Sequence, residues 1–181
     1  MMVSQSVFIG VDPGLSGAVA AISQHGKFIC VGDTPVAEVK KGKGAKHFYL
    51  PAQMVAQLKG IQAHGAITLI GIELVHAMPG QGVTSMFRMG QGLGMWEMAF
   101  VALSLPYKWI TPQSWKKELL RAGVGDDKSA SIVRAQELFP AAAEFLKRKK
   151  DDGRAEAILL AEYARCSSLG LLTPHMPKPR R

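Results

Sequence analysis

The stretch IGVDPGLSGAVA, residues 9–20, decides how the rest of the chain is read. An apolar run from Val7 to Asp12 is closed by Pro13-Gly14, and a second run extends from Ala18 to Ile22. Proline fixes φ and glycine tolerates the left-handed region, so the pair marks a tight turn between two strands. Phe28 to Val31 adds a third apolar run, punctuated by His25-Gly26 before it and Gly32-Asp33 after it. Three consecutive antiparallel strands therefore open the chain.

Further along, residues 38–47 (EVKKGKGAKH) are basic and glycine-rich without apolar periodicity, which predicts a mobile loop. Pro51 to Ala63 carries Ala52, Val55, Leu58 and Ile61 at the three-residue spacing of an amphipathic helix. Thr68 to Glu73 reads as a fourth strand and Tyr107 to Ile110 as a fifth. Between them, Thr84 to Leu105 is apolar on nearly every side, the mark of a helix that is either buried or shared with a second subunit. Pro112 starts a helix where proline is tolerated, and Lys128–Leu138 and Asp152–Ser168 complete the set. The order predicts an α/β fold, a mixed sheet of five strands flanked by helices. At 181 residues one domain is expected, over 1–172, with the core-free tail PHMPKPRR at 174–181 contributing to a disordered basic end over 173–181.

Twenty-two Lys and Arg against 14 Asp and Glu give a net charge of +8, which favours an anionic partner, either nucleic acid or an acidic membrane surface. No apolar run reaches the roughly 18 residues of a membrane span. Residues 1–6 (MMVSQS) lack the blocks of a secretory signal, so a cytoplasmic location is expected. Cys30 and Cys166 stand alone, without the spacing of a disulfide framework or zinc site, and read as packing residues.

The acidic residues carry the chemistry. Asp12 ends the first strand, Glu73 ends the fourth, and Asp152 and Glu156 lie four apart on one face of the last helix. Taken singly, an Asp before Pro-Gly is a turn former and the last-helix acids are partners of the helix dipole. Glu73 follows the apolar run LIGI, and a carboxylate there needs a partner or a metal ion. With the first and fourth strands as neighbours and the last helix across their ends, all four converge. Such a cluster repels itself unless cations occupy it, and hard oxygen donors select Mg²⁺ or Mn²⁺. Two such ions per site are the standard arrangement for in-line phosphodiester hydrolysis, with one orienting the attacking water and the other stabilising the leaving 3′ oxygen.

Four blocks, IGVDPGLSGAVA at 9–20, GIELVHAMPGQG at 71–82, WKKELLRAGVGDDKSAS at 115–131 and DDGRAEAILLA at 151–161, resemble the RuvC family of Holliday junction resolvases, particularly its phage-type branch. The similarity runs in order over nearly the whole chain. It implies an RNase H-like fold and a homodimeric endonuclease that resolves four-way DNA junctions by paired symmetric nicks. Carried over by position, the family's metal ligands fall on Asp12, Glu73, Asp152 and Glu156, with Asp151 as the alternative to Asp152. Its lysines near the cleaved phosphate resemble Lys117 or Lys116 and Lys128, and His76 stands where many relatives stack an aromatic ring on junction bases. Lys40, Lys41, Lys43, Lys46, Lys147, Arg148, Lys149 and Lys150 flank the acidic site; they are either phosphate-holding or solvated surface.

GQGLG at 90–94 lies in an apolar helical segment after no strand, which excludes a dinucleotide loop. Gly90 and Gly94 instead permit close helix approach, and the resemblance implies a dimer interface there. Three other functions are to be weighed: a flap or RNA-processing nuclease of the same superfamily, a non-catalytic junction-binding protein, and an actin-like ATPase, for which the chain is too short.

Overall fold

A computed structural model describes residues 5–42, 44–77, 79–120 and 128–172, without the side chains of Lys41 and Lys128. The N-terminal hairpins form as expected: β1 (Ser6–Asp12), β2 (Ala18–Ser23) and β3 (Phe28–Asp33) pair antiparallel. The turn after Asp12 is closed by Gly17 donating its N–H to the Gly14 carbonyl at 3.0 Å. The turn before β3 uses Gly26 at φ +74°. β6 (Ala66–Glu73) then lies parallel to β1, and β7 (Tyr107–Ile110) lies parallel to β6. The five-stranded sheet runs β3-β2-β1-β6-β7.

Side chains alternate across this sheet with the two-residue period of a strand, and both faces are buried. Val7, Ile9 and Val11 of β1, Val19 and Ala21 of β2, and Ile70 and Ile72 of β6 point to one face. There they meet Met54 and Leu58 of α1 (Pro51–Gln62) and Trp96 and Phe100 of α2 (Val83–Ala102). Phe8, Ala20 and Ile22 point to the other face, against Ile158, Leu159 and Ala161 of α5 (Asp152–Ser168). The same layer holds Trp115 of α3 (Pro112–Leu119) and Ala135 of α4 (Lys128–Leu138). Each fully buried large apolar side chain in these layers contributes about 1.5–3 kcal/mol. The result is the expected α/β architecture, a mixed sheet between helical layers.

One expectation is overturned. Residues 38–47 do not form a loop but most of a two-stranded ribbon, β4 (Val36–Lys41) paired with β5 (Gly44–Tyr49), in register Val36 with Tyr49 through Lys41 with Gly44. Apolar alternation reveals a strand only when one face is buried. Here Tyr49 is buried at one end, whereas residues 44–48 are exposed. Past the end of β4, Gly42 adopts φ +60°, a conformation that suits a tight reversal of the chain. Two short 3₁₀ turns, Pro140–Phe145 and Lys149–Asp151, were also not foreseen. Helix α2 stops at Ala102, short of Leu105, because Ser104 turns into the left-handed region at φ +53°. The expected disordered end, 173–181, lies outside the described residues.

Candidate active site

The parity of the strands fixes where the acids go. Asp12 shares its face of β1 with Phe8 and Gly10, and Glu73 shares its face of β6 with Leu69 and Gly71. Both therefore face α5. They also stand side by side, one step beyond the Val11–Ile72 pair of the parallel ladder. Helix α5 crosses these strands closely because its contact points lack side chains. A Cβ at Gly10 would fall on the backbone of Ala157 and Ala161, and one at Gly71 would strike Ile110 and approach the Leu160 carbonyl. At the open end of the crossing, a Cβ at Gly153 would lie 3.1 Å from an Asp12 carboxylate oxygen and overlap the Ser16 carbonyl. The first turns of α5 thus run past the end of β1, carrying Asp152 and Glu156.

Glu156 senses the other three acids. Burial, followed by the charges of Asp12 and Glu73, pushes the Glu156 carboxyl up to about 7; Asp152 adds to the rise and Lys116 opposes it. Burial also raises Glu73, which is only 9 % exposed, while the Trp115 indole and the Lys116 charge pull it back. Trp115 donates its Nε1–H to Glu73 Oε1 at 2.9 Å, and Gly14 donates its N–H to Asp12 Oδ1 at 3.2 Å. Among the described residues, no three His, Cys, Asp or Glu side chains are drawn together tightly enough to form a ready-made metal site. The acids lie within electrostatic range without being collapsed onto a common point.

Asp151 is committed elsewhere. It is buried, accepts from the Arg148 guanidinium at 2.7 and 3.0 Å and from the Arg148 N–H at 2.8 Å, and lies 3.9 Å from Arg154. Hydrogen bonding from Arg148 holds its carboxyl below the usual range. Arg154 also pairs with Asp33 through two hydrogen bonds of 2.5 and 2.6 Å, tying α5 to the end of β3. Asp152 is half-buried, lines the groove with Lys149 and Lys150, and adds its charge to the field on Glu156.

The basic residues divide in the same way. Lys116 acts on both Glu73 and Glu156 and stacks its ammonium 5.6 Å from the Trp115 ring, whereas Lys117 is exposed. Lys128 opens α4, with its side chain outside the described residues. His76 is exposed just past β6. Lys149 and Lys150 line an open groove of about 760 Å³ together with Arg148, Arg154, Ser16 and Asp152. Trp115 is a site residue that its sequence context does not mark. Its only signal was a large indole heading a Lys-Lys pair on an amphipathic helix, which reads equally well as core.

No family model matches the chain. It is 31 % identical over 159 residues to the chloroplastic Holliday junction resolvase MOC1 of Chlamydomonas reinhardtii. That alignment takes in 75 % of this chain but only 17 % of the relative, so the chain spans about a sixth of that protein's length. Among solved structures, T. thermophilus RuvC in complex with a Holliday junction substrate superposes with a TM-score of 0.55 at 15 % identity, covering 93 % of this chain and 99 % of that one. A second structure of Thermus thermophilus RuvC gives 0.53 at 17 %, with the same coverage. The chain therefore has the RNase H-like fold of RuvC and, over three quarters of its length, resembles part of a Holliday junction resolvase in sequence.

Proposed function

We propose that the chain is a structure-selective DNA endonuclease that resolves four-way junctions by metal-dependent phosphodiester hydrolysis. The observation that carries this reading is the gathering of Asp12, Glu73, Asp152 and Glu156, where burial first and the neighbouring acids second raise the Glu156 carboxyl to about 7, beside a groove lined by Arg148, Lys149, Lys150 and Arg154 as well as by Asp152. Acids held this close and half out of water favour a multivalent cation, and an all-oxygen donor set suits Mg²⁺ or Mn²⁺. Asp12, Glu73, Asp152 and Glu156 would hold up to two such ions. Bound there, the ions would supply Lewis acidity and activation of water.

The chain's own residues prepare that chemistry. Trp115 and the Gly14 N–H orient Glu73 and Asp12 through the bonds described above. Lys116 offsets negative charge beside Glu73 and Glu156, reducing the repulsion a phosphate meets on approach. Lys149 and Lys150, exposed on the rim, suit the DNA backbone, where phosphate contacts position without reading sequence. Lys117, Lys128 and His76 are proposed to contact DNA on the resemblance alone.

Paired nicks require two sites, and α2 offers a face for a second copy. Val83, Phe87, Met98 and Val101 are exposed along it, Phe87 by 68 %. Gly94, Met95 and Met98 line an apolar groove of about 510 Å³ shared with Pro51 and Val55 of α1. Monomeric proteins rarely expose such a continuous apolar stripe. A symmetric pair of α2 helices would cover it and set two active sites on opposite strands.

The discriminating experiment is a substrate panel with Mg²⁺: a four-way junction, a flap and an RNA–DNA hybrid of matched sequence. Preferential cleavage of the junction supports the proposal; preferential cleavage of flap or hybrid would contradict it.

A further inference from the structure

The β4–β5 ribbon builds a second cleft against the turn that follows Asp12, meeting the groove of Lys149 and Lys150 at Leu15. It encloses about 420 Å³ between β5, the start of α2 and the turn following Asp12, within the range of small-molecule sites at roughly 300–1,000 Å³. Its anchor is Tyr49, buried at the base of the ribbon. The Tyr49 hydroxyl reaches the Arg88 carbonyl at 3.1 Å and the Pro13 carbonyl at 3.4 Å, so ribbon, helix and the residue after Asp12 meet at one atom. Close approach is possible because Gly92 has no side chain: a Cβ there would overlap both Tyr49 and the Pro13 carbonyl. Arg88, which also lines the cleft, holds the ribbon with its guanidinium 4.7 Å from the Phe48 ring and its Nη1 donating to Gln91 at 3.2 Å.

The two clefts differ in chemistry. The groove at Lys149 is lined almost wholly by charged and hydroxyl groups and suits phosphates. The ribbon cleft combines apolar surface from Leu15, Ala45 and Met89 with Lys46, His47 and Ser85. Apolar walls with cationic and hydrogen-bonding groups around them match a nucleobase attached to a phosphate. They suit a bare phosphate run less well, because the apolar surface would stay unused. A base paired in a duplex cannot enter such a cleft, whereas an unpaired one can.

We propose that this cleft takes one unpaired nucleotide of the DNA strand adjoining the cleaved phosphate, its base against Leu15, Ala45 and Met89 and its phosphate toward Lys46 and His47. The proposal rests on the DNA-processing reading above and deepens it, since the cleft would select strands that open at the cleavage point.

The test is binding of end-labelled four-way junctions followed by fluorescence anisotropy in Ca²⁺, using a series in which single nucleotides near the exchange point are made abasic. Loss of the captured base should weaken binding by about fivefold or more at one or two positions, the scale of a single stacked base. The double variant Lys46→Ala/His47→Ala should bind the intact junction less tightly and no longer distinguish it from those abasic junctions. Lys40→Ala, which removes the same charge from the ribbon outside the cleft, should retain the distinction. Equal binding of every abasic junction by the wild-type protein, or a distinction surviving in the double variant, would overturn the proposal. Absence of junction binding would overturn it together with the wider reading. Base-dependent binding without cleavage in Mg²⁺ would support the cleft and contradict only the nuclease assignment.

Discussion

Trp115 Nε1 lies 2.9 Å from Glu73 Oε1, so a residue at the start of α3 orients the acid that ends β6. Glu73 is nearly enclosed, and without this donor its carboxylate would be left poorly satisfied. Trp115→Phe keeps most of the packing and removes the donor. It should lower junction cleavage about tenfold and raise the metal concentration needed, with a stability cost of roughly 1–3 kcal/mol. Because the bond lowers the Glu73 carboxyl, its loss should shift the acidic limb of the cleavage–pH profile upward. An unchanged profile would argue against an orienting role.

Asp12→Asn and Glu73→Gln each remove an acid without touching the basic groove. Both should abolish cleavage while leaving junction affinity within a few-fold of wild type, as read by gel shift beside the cleavage assay. Substantial cleavage by either variant would contradict the four-acid assignment.

Glu156 makes a prediction about pH. Its folded-state carboxyl sits at about 7, above the ordinary 4.5, so the folded protein holds a proton that the unfolded chain releases. Stability of the metal-free protein should therefore fall as pH rises from about 4.5 to about 7, with the full penalty present above that. Glu156→Gln should raise Tm at pH 8 and change it little at pH 4.5. Added Mg²⁺ should lift the wild-type Tm more at pH 8 than at pH 5, since cation and proton compete for the same acids. A variant that is destabilised at pH 8 would reverse the sign and refute the account.

Gly94 tests the dimer. A Cβ there meets nothing within 4 Å, and the same holds for Gly90, so both positions open onto free space in a single chain. Gly94→Leu should leave Tm nearly unchanged and halve the mass measured by light scattering at micromolar concentration. A wild-type protein of single-chain mass would remove the basis for coordinated nicks. Gly92→Ala, by contrast, should destabilise the protein, because its methyl group would collide with Tyr49.

Much of this was legible because both faces of the sheet are buried. The closure of β1 at Asp12-Pro13-Gly14, the exact span of β7 and the starts of α3, α4 and α5 follow from turn residues and apolar runs. The alternation that sends Phe8 to one layer and Ile9 to the other also aims Asp12 and Glu73 at α5. The ribbon at 36–49 was hidden for the converse reason: its outer half buries nothing, so no periodicity marks it. The engagement of Asp151 was equally hidden, because it depends on Arg148, three residues upstream, folding back to claim that carboxylate through a 3₁₀ turn. Adjacent positions such as Lys116 and Lys117 differ only in helix phase, which the sequence leaves open until α3 is docked on Trp115.

The most direct test uses a mobile synthetic four-way junction with each strand end-labelled in turn, incubated with the protein in Mg²⁺ or Mn²⁺ and in chelator. Nicks at symmetric positions on two opposing strands, seen only with the divalent ion and absent with Asp12→Asn, are the predicted result. An intact junction in the presence of either ion, or cleavage that persists in chelator, would contradict it.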